Sequence, residues 1–148
     1  MAAKQHRGNR VLSGTHAVLW WDGERIFECK KIEVKVAANR EDVQIGLDID
    51  SKMTGLKAEG TITMIKVYSR YERFRQAWNR GEDLRSQLIT KLADPDAVGK
   101  QEERYSIENV WFNELPLVSA ETGGIIEEEV GFGCTASDIQ NLDQISPA

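Results

Sequence analysis

One short segment, residues 69–81 (SRYERFRQAWNRG), has the pattern of an α-helix, whereas most other patterned segments read as strands. Ser69 and Glu72 match the S-x-x-E capping box, in which the two side chains satisfy backbone N–H groups at the start of a helix. Gly81 is a typical C-terminal stop. A helix this short is marginal in water, so it must pack on a sheet through its apolar stripe. That stripe is aromatic and has helical spacing: Tyr71, Phe74 and Trp78.

Strand signals precede this segment. Residues 16–21 (HAVLWW) are rich in β-branched and aromatic side chains and end at Asp22-Gly23, a dipeptide typical of two-residue hairpin turns. Residues 25–29 are therefore expected to return as a second strand. Residues 31–36 alternate between charged and apolar side chains, which predicts one buried face and one face in water.

A second alternating run covers residues 43–49 (VQIGLDI) and predicts a further strand. Residues 37–41 break the pattern before it, and residues 51–55 bound it on the other side. We interpret the run as a hairpin arm that reaches beyond the core, with an internal strand of one sheet as the alternative. Alternation places its apolar members on one face: Val43, Ile45, Leu47 and Ile49.

The rest of the chain adds four strand signals and ends without one. These signals cover residues 56–68, 84–92, 105–112 and 125–134. Gly60 suggests a bulge in the first of them, and ETGG at residues 121–124 predicts a hairpin turn before the last. Residues 142–148 are expected to trail off.

Together these patterns define a fold class. Seven or eight strands and one helix, without alternation of strand and helix, predict a mainly-β antiparallel barrel or sandwich with one flanking α-helix. We expect residues 1–14 to be a flexible N-terminal arm and residues 15–148 to form a single β domain. No run approaches the roughly 18 apolar residues of a membrane span, and no signal peptide is evident, so we expect a cytoplasmic origin and no membrane insertion.

The net charge of −5 is unevenly distributed along the chain. Residues 101–148 hold ten carboxylates and one arginine, a net charge of −9, so the first hundred residues carry +4. A solvated acidic face is one interpretation. The other is complementarity between copies, with the basic surface of one subunit meeting the acidic surface of the next. A pI near 5.1 argues against ordinary nucleic-acid binding, which needs a clustered basic surface.

No pattern indicates catalysis, a cofactor or a metal. His6 and His16 have no neighbour in sequence that would make an acid–base pair. The glutamates at 127–129 cannot converge on one metal ion, because successive residues of a strand face opposite sides. Cys29 and Cys134 belong to no C-x-x-C pair and are expected to be reduced and buried. We therefore predict no catalytic site, no cofactor and no metal site.

Three stretches carry a family pattern: the W-x-D-G hairpin that opens WWDGERIFECKKIEVKV, the hairpin-like run beginning NREDVQIGLDID, and the G-x-I-x-x-x-x-x-Y-S-R run that enters the helix. With the C-terminal strands and the chain length, they resemble the tail-tube protein of contractile phage tails, of the type found in PBSX-like defective prophages and tailocins. The likeness covers residues 12–139. Its specificity comes from order and length, since none of these motifs is a catalytic signature.

The resemblance implies a structural subunit that is not an enzyme. In that family six copies form a ring, and rings stack into a hollow tube inside a contractile sheath. The implied partners are further copies of the chain and the sheath, baseplate and tape-measure proteins, with DNA at most as passing cargo. The implied location is the bacterial cytoplasm during assembly, and then the tail of a virion or phage-like particle.

The resemblance also gives roles to residues. Glu127 and Glu129 become candidates for an acidic lumen, because negative charge would keep passing DNA from sticking. The residues of the hairpin arm become candidates for contacts between subunits or rings: Val43, Ile45, Leu47 and Ile49.

Two other interpretations stay open at this point. One is the tube protein of a type VI secretion machine, which shares the architecture. The other belongs to a different class, a small-ligand-binding β-barrel whose cavity would be lined by Trp20, Trp111 and Phe112.

Overall fold

The computed structural model describes residues 8–14 and 17–147. The strands are β1 (Ala17–Trp21), β2 (Glu24–Ile26), β3 (Cys29–Ile45), β4 (Asp48–Ile65), β5 (Ser86–Leu92), β6 (Glu103–Phe112), β7 (Glu127–Cys134) and β8 (Ile139–Asp143), and the α-helix is α1 (Glu72–Asn79). All strand pairs are antiparallel, in the order β2-β1-β5-β6-β7-β4-β3, with β8 also on β6. The mainly-β antiparallel prediction with one flanking helix is confirmed.

The sheet folds over a single core but does not close. Within the described residues, β2 and β3 are the two ends of the path and do not pair with each other. Leu19, Leu88 and Ile107 face the core from one half of the sheet, and Ile62 and Phe132 face it from the other. The result is a half-open sandwich with an open seam between β2 and β3.

The first hairpin is formed as predicted, but its second strand is shorter. Asp22 and Gly23 have φ angles of 51° and 84°, and Trp21 pairs with Glu24 across the turn. Two positive φ angles are the signature of the type I′ turn that matches strand twist. The chain then turns at residues 27–28 and enters β3 at Cys29, so the strand expected over residues 25–29 is wrong in its bounds.

The helix ends where the sequence predicts and begins later. Gly81, with φ of 77°, donates its N–H to Trp78 O at 3.0 Å, and Glu82 donates to Ala77 O at 2.9 Å, the two hydrogen bonds of a Schellman motif. The prediction of a capping box at Ser69 and Glu72 is wrong, because helix α1 begins at Glu72 and its N-cap residue makes no side-chain hydrogen bond. The carboxylate of Glu72 binds Arg75 instead, at 2.9 Å from Nε.

A tertiary contact explains the late start. Arg70 Nε donates to Glu28 Oε1 at 2.8 Å, and both side chains are largely buried. This ion pair ties the bent segment over residues 66–70 to the turn before β3, and the N-cap position falls on Tyr71 rather than on Ser69.

The two longest strands are continuous through the predicted interruptions. β3 runs straight through residues 37–41, and β4 runs through residues 51–55. Residues 43–49 are therefore not one strand but the end of the β3–β4 hairpin, with Gly46 and Leu47 in its turn. The two irregularities in this ladder lie between Cys29 and Lys31 and between Asn39 and Arg40, whereas the predicted bulge at Gly60 is wrong, because Gly60 pairs regularly on both sides.

The C-terminal part contains more structure than expected. Glu121 and Gly124 make a turn, but it lies within a long loop over residues 113–126 and does not directly join β6 to β7. The chain does not trail off from residue 142, because β8 continues to Asp143 and pairs with β6.

The two ends of the described chain meet at the loop between β5 and β6. Arg10 donates to Asp96 O at 3.0 Å, and the Ser13 N–H donates to Asp94 Oδ2 at 2.9 Å. On the same loop, Gln101 exchanges two hydrogen bonds with the backbone of Ser146. Of the predicted N-terminal arm, residues 1–7 lie outside the described residues, as do residues 15–16 and residue 148.

Candidate assembly surfaces

The most unusual surface is the projecting end of the β3–β4 hairpin, here called the hairpin arm and defined as residues 37–57. It begins beyond the pair Val36–Ala58, where Ala58 is the last buried residue of β4 on this side. All residues from 35 to 54 are exposed. At about 3.3 Å per residue, each strand of the arm extends roughly 30 Å from the core. An isolated two-stranded hairpin is at best marginally stable in water, so this one needs a surface to pack on.

The four apolar residues predicted for the arm lie at its end, but not on one face. Val43 pairs with Asp50, and Ile45 pairs with Asp48, so these two residues share a face. Ile49 pairs with Gln44 and lies on the opposite face, and Leu47 occupies the turn. The expected single apolar face is therefore wrong, because the turn falls inside the alternating run. All four side chains are exposed, Leu47 completely.

Glu127 and Glu129 lie on the outer face of the β3-β4-β7 part of the sheet. Glu127 pairs with Ile65 and Glu129 pairs with Thr63, so these four side chains lie on the same face of the sheet. Both glutamates are exposed, whereas Glu128, which points to the other face, is buried. Glu128 is 3.0 Å from Lys66 Nζ on the core side. The expectation that successive glutamates of this strand point to opposite sides is confirmed.

This outer face is balanced in charge rather than acidic. Ion pairs of 2.7 Å join Lys30 to Glu127 and Lys35 to Glu33. The hydrogen bond and charge of Lys35 lower the pKa of Glu33, and the same contact raises the pKa of Lys35. Strand parity and these ion pairs place four carboxylates and four ammonium groups here: Glu33, Glu59, Glu127, Glu129, Lys30, Lys31, Lys35 and Lys57.

Sequence reasoning missed the lysines of this face, although a signal was present. Lys31, Glu33 and Lys35 alternate with the apolar residues of β3, so their side was predictable. What the sequence did not show is that β3 and β7 both flank β4. That topology places the lysines of β3 on the same face as the glutamates of β7, with only β4 between them.

The aromatic stripe of the helix is only partly buried. Tyr71 and Phe74 are 3% and 0% exposed, and ring centroids of Trp21 and Phe112 lie 6.0 and 5.0 Å from that of Phe74. Trp78 was expected to pack on the sheet with these two rings, but it is 37% exposed and lies outside the core. In this short helix the inward position near its end is occupied by buried Ala77.

The residues expected to line a ligand cavity do not converge. Phe112 is buried in the core, whereas Trp111, its neighbour in β6, lies on the opposite face against Gly133. Trp20 likewise points away from buried Trp21. The three rings therefore cannot line one pocket.

The described residues contain no metal-ligand cluster. In residues 8–14 and 17–147, no group of three or more His, Cys, Asp and Glu side chains could hold a metal ion. Cys29 and Cys134 are free thiols, and burial raises the pKa of both. None of the helices described here is long and apolar enough to cross a membrane.

Chains of similar fold occur in solved structures of an extracellular contractile injection system and of the anti-feeding prophage. A chain of the PVC sheath-tube complex in its extended state is 11% identical, with 92% of this chain and 93% of that one covered and a TM-score of 0.62. A chain of the anti-feeding prophage tube-terminating cap is 9% identical over 97% and 96% of the two chains, with a TM-score of 0.65.

A third match extends the same fold to another part of such a particle. A chain of the anti-feeding prophage baseplate is 6% identical, with 95% of this chain and 97% of that one covered and a TM-score of 0.62. No curated protein matches the sequence.

The family itself is shown by sequence. The model of the family described as phage tail tube protein matches residues 4–143. The chain belongs to this family and is a structural subunit of a tail tube.

Proposed function

We propose that this chain assembles into hexameric rings that stack into a hollow tube inside a contractile sheath, and that it catalyses no reaction. The hairpin arm is the observation that carries the proposal. It is a continuous antiparallel ladder whose residues 35–54 are all exposed, with apolar side chains at its end. Such a ladder is an aggregation hazard on a lone monomer and a defined contact in an assembly.

The partners follow from the same architecture. The similar solved chains come from a sheath-tube complex, a tube-terminating cap and a baseplate. We propose that this chain likewise contacts sheath and baseplate proteins, and that a tape-measure protein lies inside the tube. Assembly takes place in the bacterial cytoplasm, and the finished tube belongs to a virion or phage-like particle.

The outer face of the β3-β4-β7 part of the sheet is the proposed wall of the lumen. It is wide, polar and free of large apolar side chains except at its margins. Glu127 and Glu129 lie on this wall, and Glu127 is ion-paired with Lys30 of β3. DNA, if it passes, then meets a surface without net charge.

The experiment is assembly of purified protein, followed by light scattering and negative-stain microscopy. We expect rings or tubes from the natural sequence. Replacing Ile45 and Leu47 by aspartate should leave the monomer folded and abolish polymerisation, because it removes apolar contacts only at the end of the arm.

Val118→Asp is the matched control. Val118 is 92% exposed in the loop over residues 113–126, so the same chemical change lies away from the arm. Normal tubes from the double aspartate variant would show that the arm does not join subunits. A compact monomer of 16.7 kDa from the natural sequence, even at high concentration, would overturn the proposed function.

A further inference from the structure

A groove runs along the open seam of the sandwich, between β2 and the start of β3. We call it the seam groove, and its volume is about 630 Å³. Its apolar lining includes Val18, Ile32 and Phe27, whose side chain is 77% exposed. Both strands at the seam pair on one side only, so their outer backbone groups are available to another chain.

The seam groove is basic. Arg25, Lys30 and Lys31 contribute to its lining, and no carboxylate does. Arg25 lies 4.6 Å from the centroid of the Phe27 ring, and within the described chain no carboxylate is within ion-pair distance of it. Lys30 and Lys31 are already ion-paired with Glu127 and Glu33 at the outer face of the sheet, so among the described residues Arg25 is the lining cation without an ion-pair partner.

The end of the hairpin arm has the opposite character. We call residues 40–53 the arm tip. It holds four carboxylates and two cations, a net charge of −2. Its exposed apolar side chains include Leu47, Ile45 and Ile49, beside Asp48 and Asp50. An acidic and apolar projection is complementary to a basic and apolar groove.

The groove and the tip are at opposite ends of the same strand. Lys31 lies at the groove and Ile45 at the tip, fourteen residues apart along β3. At about 3.3 Å per residue this separation is roughly 46 Å, so a chain cannot place its own tip in its own groove. The occupant must be the tip of another copy. Contacts between two different patches of one chain are heterologous, and when they repeat without closing they build a filament.

We infer that the seam groove binds the arm tip of a second copy of this chain, with Asp48 and Asp50 facing Arg25 and Lys31. The inference rests on the proposed function and names the surface that receives the arm. It also gives a location to part of the net charge of +4 on the first hundred residues, because the cations that receive the arm tip lie in β2 and β3.

Charge reversal with rescue tests this contact. Two double variants each reverse one side of the contact: Asp48→Lys with Asp50→Lys on the arm tip, and Arg25→Glu with Lys31→Glu in the groove. Each should need a protein concentration roughly tenfold or more above that of the natural sequence to form tubes, because like charges then meet. The variant with all four changes should assemble within about threefold of the natural sequence, because the pairs are restored. Lys100→Glu, an exposed and unrelated cation change, is the control for the groove.

Native Cys29 supplies a second test, since it lines the groove. In tubes of Leu47→Cys treated with diamide, which accepts the two electrons and two protons of the thiols, the introduced thiol should form a disulfide with Cys29 of another copy. Ladders of linked subunits should appear on denaturing gels, and they should be lost when Cys29→Ser is added. Val118→Cys should give no ladder.

The outcomes separate this inference from the proposed function. A natural sequence that makes no rings or tubes overturns both. Failure of the arm variant to assemble, together with normal assembly of the groove variant and no Cys29-dependent ladder, keeps the arm as a subunit contact and overturns its docking in the seam groove. If the groove variant does not fold, the disulfide ladder alone decides.

Discussion

At two points an aromatic ring lies directly against a glycine of the neighbouring strand. A Cβ atom at Gly133 would lie 2.6 Å from Cε2 and Nε1 of Trp111, and one at Gly60 would lie 2.5 Å from Cζ of Phe132. Arg85 stacks on Trp111 at 4.8 Å from its ring centroid, which restricts the ring further. These glycines are therefore required by packing and not by backbone conformation.

Replacing Gly133 by alanine should lower the free energy of unfolding by about 1–3 kcal/mol, the usual cost of an extra methyl group in a filled space. Gly131 is the matched control in the same strand, because a Cβ atom there meets nothing within 4 Å. Gly131→Ala should change stability by less than about 1 kcal/mol. Urea unfolding midpoints measure both, and equal midpoints would contradict the packing argument.

Residue-level prediction from sequence failed where the backbone departs from regular alternation. Strict alternation would place Ile107 and Val110 on opposite faces of β6, yet both are fully buried. Asn109 has a φ of 53°, and the register between β5 and β6 shifts at this point, so a bulge returns Val110 to the core side. Period-two patterns do not reveal such an inserted residue.

At the scale of elements, the helix end and the first hairpin turn were predictable because both depend on local backbone chemistry. The start of the helix was not, because the residues before it are engaged in the buried Arg70–Glu28 ion pair, a contact between residues distant in sequence. The continuity of β3 and β4 was also hidden. Beyond the core, a ladder is maintained by backbone hydrogen bonds, so residues 37–41 need no apolar alternation.

The hairpin arm should be removable without unfolding the domain. Deleting residues 40–54 joins Asn39 to Gly55, an Asn-Gly dipeptide suited to a two-residue turn, between the paired residues Ala38 and Leu56. Since all deleted side chains are exposed, we expect the melting temperature to change by less than about 5 °C. Tube formation should be lost. Calorimetry measures the melting temperature, and negative-stain microscopy shows whether tubes form. Tubes from the shortened chain would contradict the role of the arm.

At the scale of the whole molecule, the strand order decides where charge lies: on the outer face of the β3-β4-β7 part of the sheet, charge asymmetry along the sequence does not become asymmetry in space. The C-terminal residues from 101 carry −9, and the expected result was an acidic wall. The sheet order places β3 and β7 on either side of β4, so Lys30 of the first half pairs with Glu127 of β7, and the lysines of β3 and β4 share the face with both exposed glutamates. Topology decides this outcome, and a single sequence gives the fold class but not the strand order.

Removing carboxylates from the outer face should create affinity for DNA. In the triple variant Glu33→Gln, Glu59→Gln and Glu127→Gln, four lysines lose their ion-pair partners. We expect this variant to bind duplex DNA with an association constant whose logarithm falls with log salt at a slope of about −3.6, as for four freed lysines. The natural sequence should not bind at about 0.15 M salt.

The control is a second triple variant with the same net charge, in which the substituted glutamates do not belong to the outer face: Glu82→Gln, Glu114→Gln and Glu121→Gln. Fluorescence anisotropy measures all three proteins. Equal binding by the two variants would show that overall charge, and not the arrangement on this face, controls contact with DNA.

Both ends of the described chain are fastened to one loop, through Arg10 and Ser13 on one side and Ser146 on the other. Val36, where the arm begins, shares a groove with Ala17 and Leu92 at this same end of the sandwich. A fluorescent or affinity label attached just before Gly8 or just after Pro147 would therefore crowd the base of the arm. The turn at Gly123 and Gly124 is exposed and remote from that end, which makes it the better place to insert a reporter peptide.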